Sequence, residues 1–66
     1  MEQNVWVFLR NANGTYSVVD NGKLLCDSIS EKSRENEFCV RLGFCGEEYQ
    51  EIIRQLAASG KCTLVL

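Results

Sequence analysis

The sequence predicts a small α+β domain in which a helix packs on one face of a sheet. From Phe38 to Phe44, apolar and polar residues alternate, which is typical of a strand. From Tyr49 to Ala57, the apolar residues recur at the spacing of a helix instead. Two apolar faces on adjacent segments can cover each other. This strand-to-helix unit is therefore predicted to be the folding centre.

Three strands are predicted ahead of that unit. Residues 5–10, VWVFLR, are mostly β-branched or aromatic and too short a run for a helix. An NANG loop leads into a return strand at residues 15–20. Asn21 and Gly22 then suit a two-residue type I′ turn into a third strand at residues 23–28. These strands are predicted to form an antiparallel meander.

A polar connector and a final strand complete the order β-β-β-loop-β-α-β. Residues 30–37, SEKSRENE, have no apolar period and predict an exposed loop with room for a helical turn. Gly60 suits the position after a helix, and residues 61–66 alternate as a strand does. Residues 1–66 are therefore predicted to be one domain, with an antiparallel or mixed sheet of about five strands and one helix.

The first strand is apolar on both faces, and this predicts an assembly. A helix of about 13 residues is about 20 Å long and covers only one face of a small sheet. Trp6 and Phe8 are then expected to need cover from a second subunit or partner, unless the polar loop folds over them. The final strand offers edge pairing as a second route. The interface candidates are Trp6, Phe8 and Arg41, since Trp and Arg often dominate binding energy.

Composition and charge argue against nucleic acid and membrane as partners. The chain is 45% apolar and 24% charged with a net charge of −2, and its basic residues form no stripe that would follow a phosphate backbone. The longest apolar run, residues 5–9, is far too short for a membrane span. The first residues, MEQN, do not resemble a signal peptide. We therefore expect a cytoplasmic protein.

The residue types leave little room for catalysis or metal binding. There is no histidine, which removes the commonest near-neutral acid/base and a common metal ligand. The four cysteines, Cys26, Cys39, Cys45 and Cys62, are separated by 12, 5 and 16 residues, without the close pairs of a structural zinc site. We expect no metal and no cofactor, and regard the cysteines as small apolar side chains. Any pairing among them is left open.

Cys45 is the candidate reactive thiol. It precedes the predicted helix, where the backbone amides and the helix dipole favour the reactive thiolate. Glu47 and Glu48 follow directly, and their negative charges disfavour it. The helix dipole alone is enough to explain glutamates at the start of a helix, because it favours negative charge there. We therefore assign no catalytic residue.

The function predicted from these observations is a small non-enzymatic protein-interaction module. Such a regulator, inhibitor or subunit presents a sheet face or edge, and we expect it to act as a homodimer or with another protein. Two alternatives remain: a cysteine-based metal-binding or redox-sensitive domain, and a nucleic-acid-binding module. The last would stack bases on Trp6, Phe8 and Tyr16.

Overall fold

A computed structural model describes residues 3–66 of the chain, which form a small α+β domain. This class agrees with the sequence prediction. In chain order, the elements are β1 (Val5–Arg10), β2 (Tyr16–Asp20), β3 (Lys23–Ile29), α1 (Glu31–Glu35), a π-helical segment (Asn36–Arg41), α2 (Glu47–Ser59) and β4 (Lys61–Val65). Over the described residues, the sheet has four strands in the order β3-β2-β1-β4, and every neighbouring pair is antiparallel.

Both predicted hairpin turns are confirmed. In the loop between β1 and β2, the Asn11 amide donates to the Thr15 carbonyl at 2.7 Å, and Gly14 has a φ of +83°. Between β2 and β3, Asn21 and Gly22 have φ values of +49° and +83°. Positive φ at both central residues defines the type I′ turn, whose twist matches that of the flanking strands. The meander therefore follows from local turn chemistry.

The predicted helix over Tyr49–Ala57 is also confirmed, within the longer α2. The residue after it, Gly60, has a φ of +78° and its amide donates to the Leu56 carbonyl at 2.8 Å. Glycine adopts this left-handed conformation without the strain that a Cβ would bring. The chain reverses there and enters β4 directly. As a result, β4 lies antiparallel to β1 at one edge of the sheet.

The predicted strand from Phe38 to Phe44 is wrong. Asn36–Arg41 is π-helical, and the Leu42 amide donates to the carbonyl of Glu37, five residues earlier, at 3.1 Å. The Phe44 amide then donates to the Phe38 carbonyl at 2.8 Å. The polar stretch before it, predicted as an exposed loop with room for a helical turn, contains the five-residue helix α1. The chain therefore has four strands and two α-helices over residues 3–66, in place of about five strands and one helix, and no parallel crossover.

Burial explains why the alternation was misleading. A strand would place Phe38 and Val40 on the same face, because side chains alternate with a period of two. Phe38 is 0% exposed, whereas Val40 is 77% exposed. In a helical turn, residues two apart project in nearly opposite directions. The segment therefore buries Phe38 together with part of Leu42, at the i and i+4 positions of a helix.

The core lies between one face of the sheet and the helical segments. Phe8 on β1 is completely buried, and its ring makes edge-to-face contacts with Phe38 at 5.0 Å and Phe44 at 5.3 Å between centroids. From α2, Ile52 and Leu56 complete the cover. Aromatic pairs in this geometry add about 0.5–1.5 kcal/mol beyond the burial of their area. All of this cover comes from a single chain.

Substitution of Phe38 tests the helical course of this segment. We expect Phe38→Ala to lower the free energy of unfolding by about 3–5 kcal/mol, because it removes the ring that covers Phe8. A domain of this size has about that much stability in total, so the variant should be largely unfolded. The matched control Val40→Ala should change the free energy by no more than about 0.5 kcal/mol. Urea unfolding monitored by circular dichroism measures both, and equal losses for the two variants would support the strand instead.

Candidate functional site

The sheet face opposite the core has no helix on it in the described part of the chain. Side chains alternate along each strand, so the neighbours of Phe8 point away from the core. We call this surface the open sheet face. Its side chains come from all four strands: Val5, Val7, Leu9, Ser17, Val19, Leu24, Asp27, Lys61, Thr63 and Val65.

The centre of the open sheet face is apolar. Strand register places Val7 beside Val19 on one side and Thr63 on the other, and Val19 beside Leu24. Val7 and Val19 are partly exposed, Leu24 is 61% exposed and Val65, at the β4 edge, is 56% exposed. Val7, Val19 and Leu24 thus lie side by side on three strands, and Val65 lies on the same face opposite Val5; we call these side chains the aliphatic strip. Contiguous apolar patches of this kind often mark interaction sites.

Polar and charged side chains occupy one end of the open sheet face. There the register places Lys61 beside Leu9 and Leu9 beside Ser17. The Ser17 hydroxyl donates to Asp27 Oδ1 at 2.7 Å, and Asn11 Nδ2 donates to Ser17 Oγ at 2.9 Å. The Ser28 amide also donates to Asp27 Oδ1 at 2.8 Å. This network fixes the Asp27 carboxylate at the β3 edge, while Lys61 lies at the β4 edge.

Trp6 and Phe8 lie on the covered face. Phe8 is sealed by Phe38 and Phe44, and the Trp6 ring makes an edge-to-face contact with Phe44 at 5.1 Å. The premise that these two residues need cover from a second subunit therefore does not hold, since residues 36–44 of the same chain supply it. Tyr16 is buried as well, so of the three proposed base-stacking aromatics only Trp6 is partly exposed. Two of the most exposed apolar side chains, Leu24 and Val65, are on the other side of the sheet.

Arg41, at the end of the π-helical segment, is not on the open sheet face. It is exposed and forms an ion pair with Glu37 at 3.0 Å, and the hydrogen bond from Arg41 to Glu37 raises the pKa of the guanidinium. Arg41 lines an open groove of about 390 Å³ beside β3, together with Leu25 and Ser33. Trp6 does not line this groove. The three interface candidates thus do not form one surface.

Arg34 is a structural residue that the sequence reasoning missed. Its Nη1 donates to the Tyr16 hydroxyl at 2.8 Å and its Nε to the Tyr49 hydroxyl at 3.2 Å, while the guanidinium lies 5.1 Å from the Tyr16 ring centroid. Burial lowers the pKa of Arg34, but the hydrogen bonds to Tyr49 and Tyr16 outweigh it, and the pKa is raised. Arg34 therefore ties α1 to β2 and α2. A single arginine in a polar run gave no signal of this role.

The four cysteines are free thiols in different environments. Cys26 and Cys62 are buried, Cys39 is partly buried and Cys45 is exposed. Burial raises the pKa of Cys39, with a further contribution from Cys45 and Glu35. Burial also raises the pKa of Cys62. Of the four thiols, Cys45 is the one that solvent reaches most freely.

Neither known proteins nor a metal site within residues 3–66 assigns a function to this chain. Comparison with family models, with curated proteins and with solved structures finds no match to this chain. Among residues 3–66, no group of three or more Cys, Asp or Glu side chains is placed to hold a metal ion. The helices of the described residues include none with the length and apolar character needed to cross a bilayer.

Replacement of Arg34 tests its role as a tether. We expect Arg34→Ala to lower the free energy of unfolding by about 1–3 kcal/mol, because two partly buried tyrosine hydroxyls lose a charged donor. Lys32→Ala, at an exposed position of the same helix, is the matched control and should be close to neutral. Thermal or urea unfolding measures the difference. Equal stability of the two variants would show that the Arg34 hydrogen bonds contribute nothing.

Thiol labelling tests the environments of the cysteines. In the folded protein, a thiol-disulfide reagent should react first with Cys45, and Cys45→Ser should abolish this fast phase. Cys26 and Cys62 should react at least about a hundredfold more slowly, because they become accessible only when the domain opens. Stopped-flow labelling followed by mass mapping gives the rates. Fast labelling of Cys62 would contradict the buried position of its side chain.

Proposed function

We propose that this chain is a small non-enzymatic protein-interaction module that associates with a second copy of itself through the open sheet face. The observation that carries the proposal is the aliphatic strip formed by Val7, Val19, Leu24 and Val65, which no helix of residues 3–66 covers. Removal of such surface from water favours association by roughly 25 cal/mol for each Å². The helices stabilise one face, and the other is left for a partner.

The form of the sheet supports a second copy as the occupant. Two sheets pack face to face about 10 Å apart, with their strands within about 30° of each other, when both inner faces are apolar. In a two-fold dimer, the same patch serves on both subunits and must be complementary to itself. An aliphatic strip, with one lysine and one aspartate at opposite edges of the same sheet face, meets that requirement. The net charge of only −2 gives little overall repulsion between copies.

The area of the open sheet face sets the expected affinity of the dimer. Four strands about 4.8 Å apart and about five residues long span roughly 19 by 17 Å. Each copy would therefore contribute roughly 300–400 Å², and the total stays below about 1,000 Å². Interfaces of this size belong to weak, reversible complexes. We expect a dimer with a dissociation constant in the micromolar range or above.

The placement of the acidic side chains supports a binding function over catalysis. Glu47 and Glu48 are exposed on the first turn of α2, where the helix dipole favours them. The carboxylate of Glu51 accepts hydrogen bonds from Arg54 and Gln55, and the bond from Arg54 lowers its pKa. General acid-base catalysis requires such groups around a cleft that holds substrate. Here they lie along a helix surface.

Substitution of Val7, at the centre of the open sheet face, tests the proposal. We expect wild-type protein to show a concentration-dependent dimer in sedimentation equilibrium up to about 1 mM. Val7→Lys should weaken it at least about thirtyfold, or about 2 kcal/mol, because a charge would be buried at the centre of the interface. Val7→Thr keeps the branched shape suited to a strand and should weaken the dimer by a smaller factor.

Val40→Lys is the matched control for this test. Val40 is exposed on the helical side of the domain, so its replacement should leave the dimer unchanged. Circular dichroism establishes that each variant is folded. A wild-type chain that stays monomeric at about 1 mM would overturn the proposed function.

A further inference from the structure

The two charges at the end of the open sheet face lie in one row across the sheet. Register pairs Lys61 with Leu9 and Leu9 with Ser17, and Ser17 hydrogen-bonds to Asp27. The row therefore runs from a cation on β4, through two strands, to an anion on β3. Within residues 3–66, Lys61 forms no ion pair. The hydrogen bonds from the Ser17 hydroxyl and the Ser28 amide to the Asp27 carboxylate both end on Oδ1.

When the strands of the two sheets are aligned, two arrangements bring a pair of such faces together with two-fold symmetry. In the first arrangement, the two-fold axis is parallel to the strands. β4 of one subunit then lies over β3 of the other, and residues paired across the sheet of one subunit lie over the same set of residues in the other. Lys61 then faces Asp27 of the partner subunit, and Val7 faces Val19 of the partner subunit. If the axis runs across the strands, the rows reverse, and Lys61 lies over Val65 of the partner subunit. The second arrangement places a charge on aliphatic surface, which is unfavourable.

We infer that the dimer is symmetric about an axis parallel to the strands, with two Lys61–Asp27 pairs at the ends of a row. This inference rests on the proposed function and specifies its geometry. The aliphatic strip supplies the burial, and the charge pairs select the orientation. Complementary charges at a rim contribute less to affinity than to the choice of partner and register. The network of Ser17 and Ser28 holds the Asp27 carboxylate ready for its partner.

Reversal of single charges makes the inference testable by mixing. In Lys61→Glu, two acids face each other at both ends of the row, and in Asp27→Lys, two lysines do. Each variant alone should dimerise about tenfold more weakly than wild type at low salt. An equimolar mixture restores both opposite-charge pairs within the heterodimer. The mixture should therefore associate within about threefold of the wild-type strength.

The measurement is sedimentation equilibrium on each variant and on the mixture, with one component isotope-labelled so that NMR reports the heterodimer separately. The matched control is Lys32→Glu mixed with Glu48→Lys, since both positions are exposed on helices and the changes in charge are the same. This pair should associate as wild type does, alone and mixed. If Asp27→Lys fails to fold, Asp27→Asn keeps the acceptor oxygen, removes the charge and should weaken the dimer about threefold.

The outcomes separate the geometry from the function. Weak association of each single variant and recovery in the mixture supports the axis parallel to the strands. A wild-type dimer that neither charge reversal affects overturns that axis and leaves the homodimer in place. A wild-type chain that is monomeric under the same conditions overturns the proposed function itself.

Discussion

The contact of Phe8 with Phe38 and Phe44 is the interaction on which the rest of the structure depends. β1 lies between β2 and β4, so its central side chain meets both the sheet and the helical layer. Two rings from one segment close over it, and the π-helical turn gives that segment the path it needs. The Leu42 amide bonds to the carbonyl five residues earlier, which is the π-helical pattern. Phe38, within this segment, is completely buried and seals the core.

That contact also decides which face of the sheet stays open. Both faces of β1 are apolar, so either could have become the core. The aromatic face offers larger rings to bury, and each buried ring contributes more than a valine does. α1, the π-helical segment and α2 all lie on that side. Arg34 bonds to Tyr16 and Tyr49, and both tyrosine rings contact Phe38 edge to face. A chain of this length has no further element in residues 3–66 with which to cover the aliphatic face.

The parts of the fold that could be predicted from sequence are those with a local cause. The Asn21-Gly22 turn, the strands beside it and the periodic helix ending at Gly60 each depend on neighbouring residues. The failure over Phe38–Phe44 has a tertiary cause, because its alternation fits a strand while the native contacts use another period. One local signal did favour a helix: the preceding run is rich in Glu, Lys and Arg, which are good helix formers. The alternation along β1 already placed Val5, Val7 and Leu9 on one apolar face, but not which face of the strand would be covered.

The irregular or short edge strands are a physical reason to expect two copies to associate through the open sheet face and not through an edge. β3 has two shifts of register against β2, and Ser28 adopts a φ of +56° there. Such irregularities bend a strand and interrupt the regular row of donors and acceptors that a second chain would pair with. β4 is only five residues long and begins with Lys61, and short edge strands with lysine are also poor templates for pairing. In the proposed dimer, the same lysine that discourages pairing at the edge faces an acid of the second copy, so one residue disfavours one mode of association and orients the other.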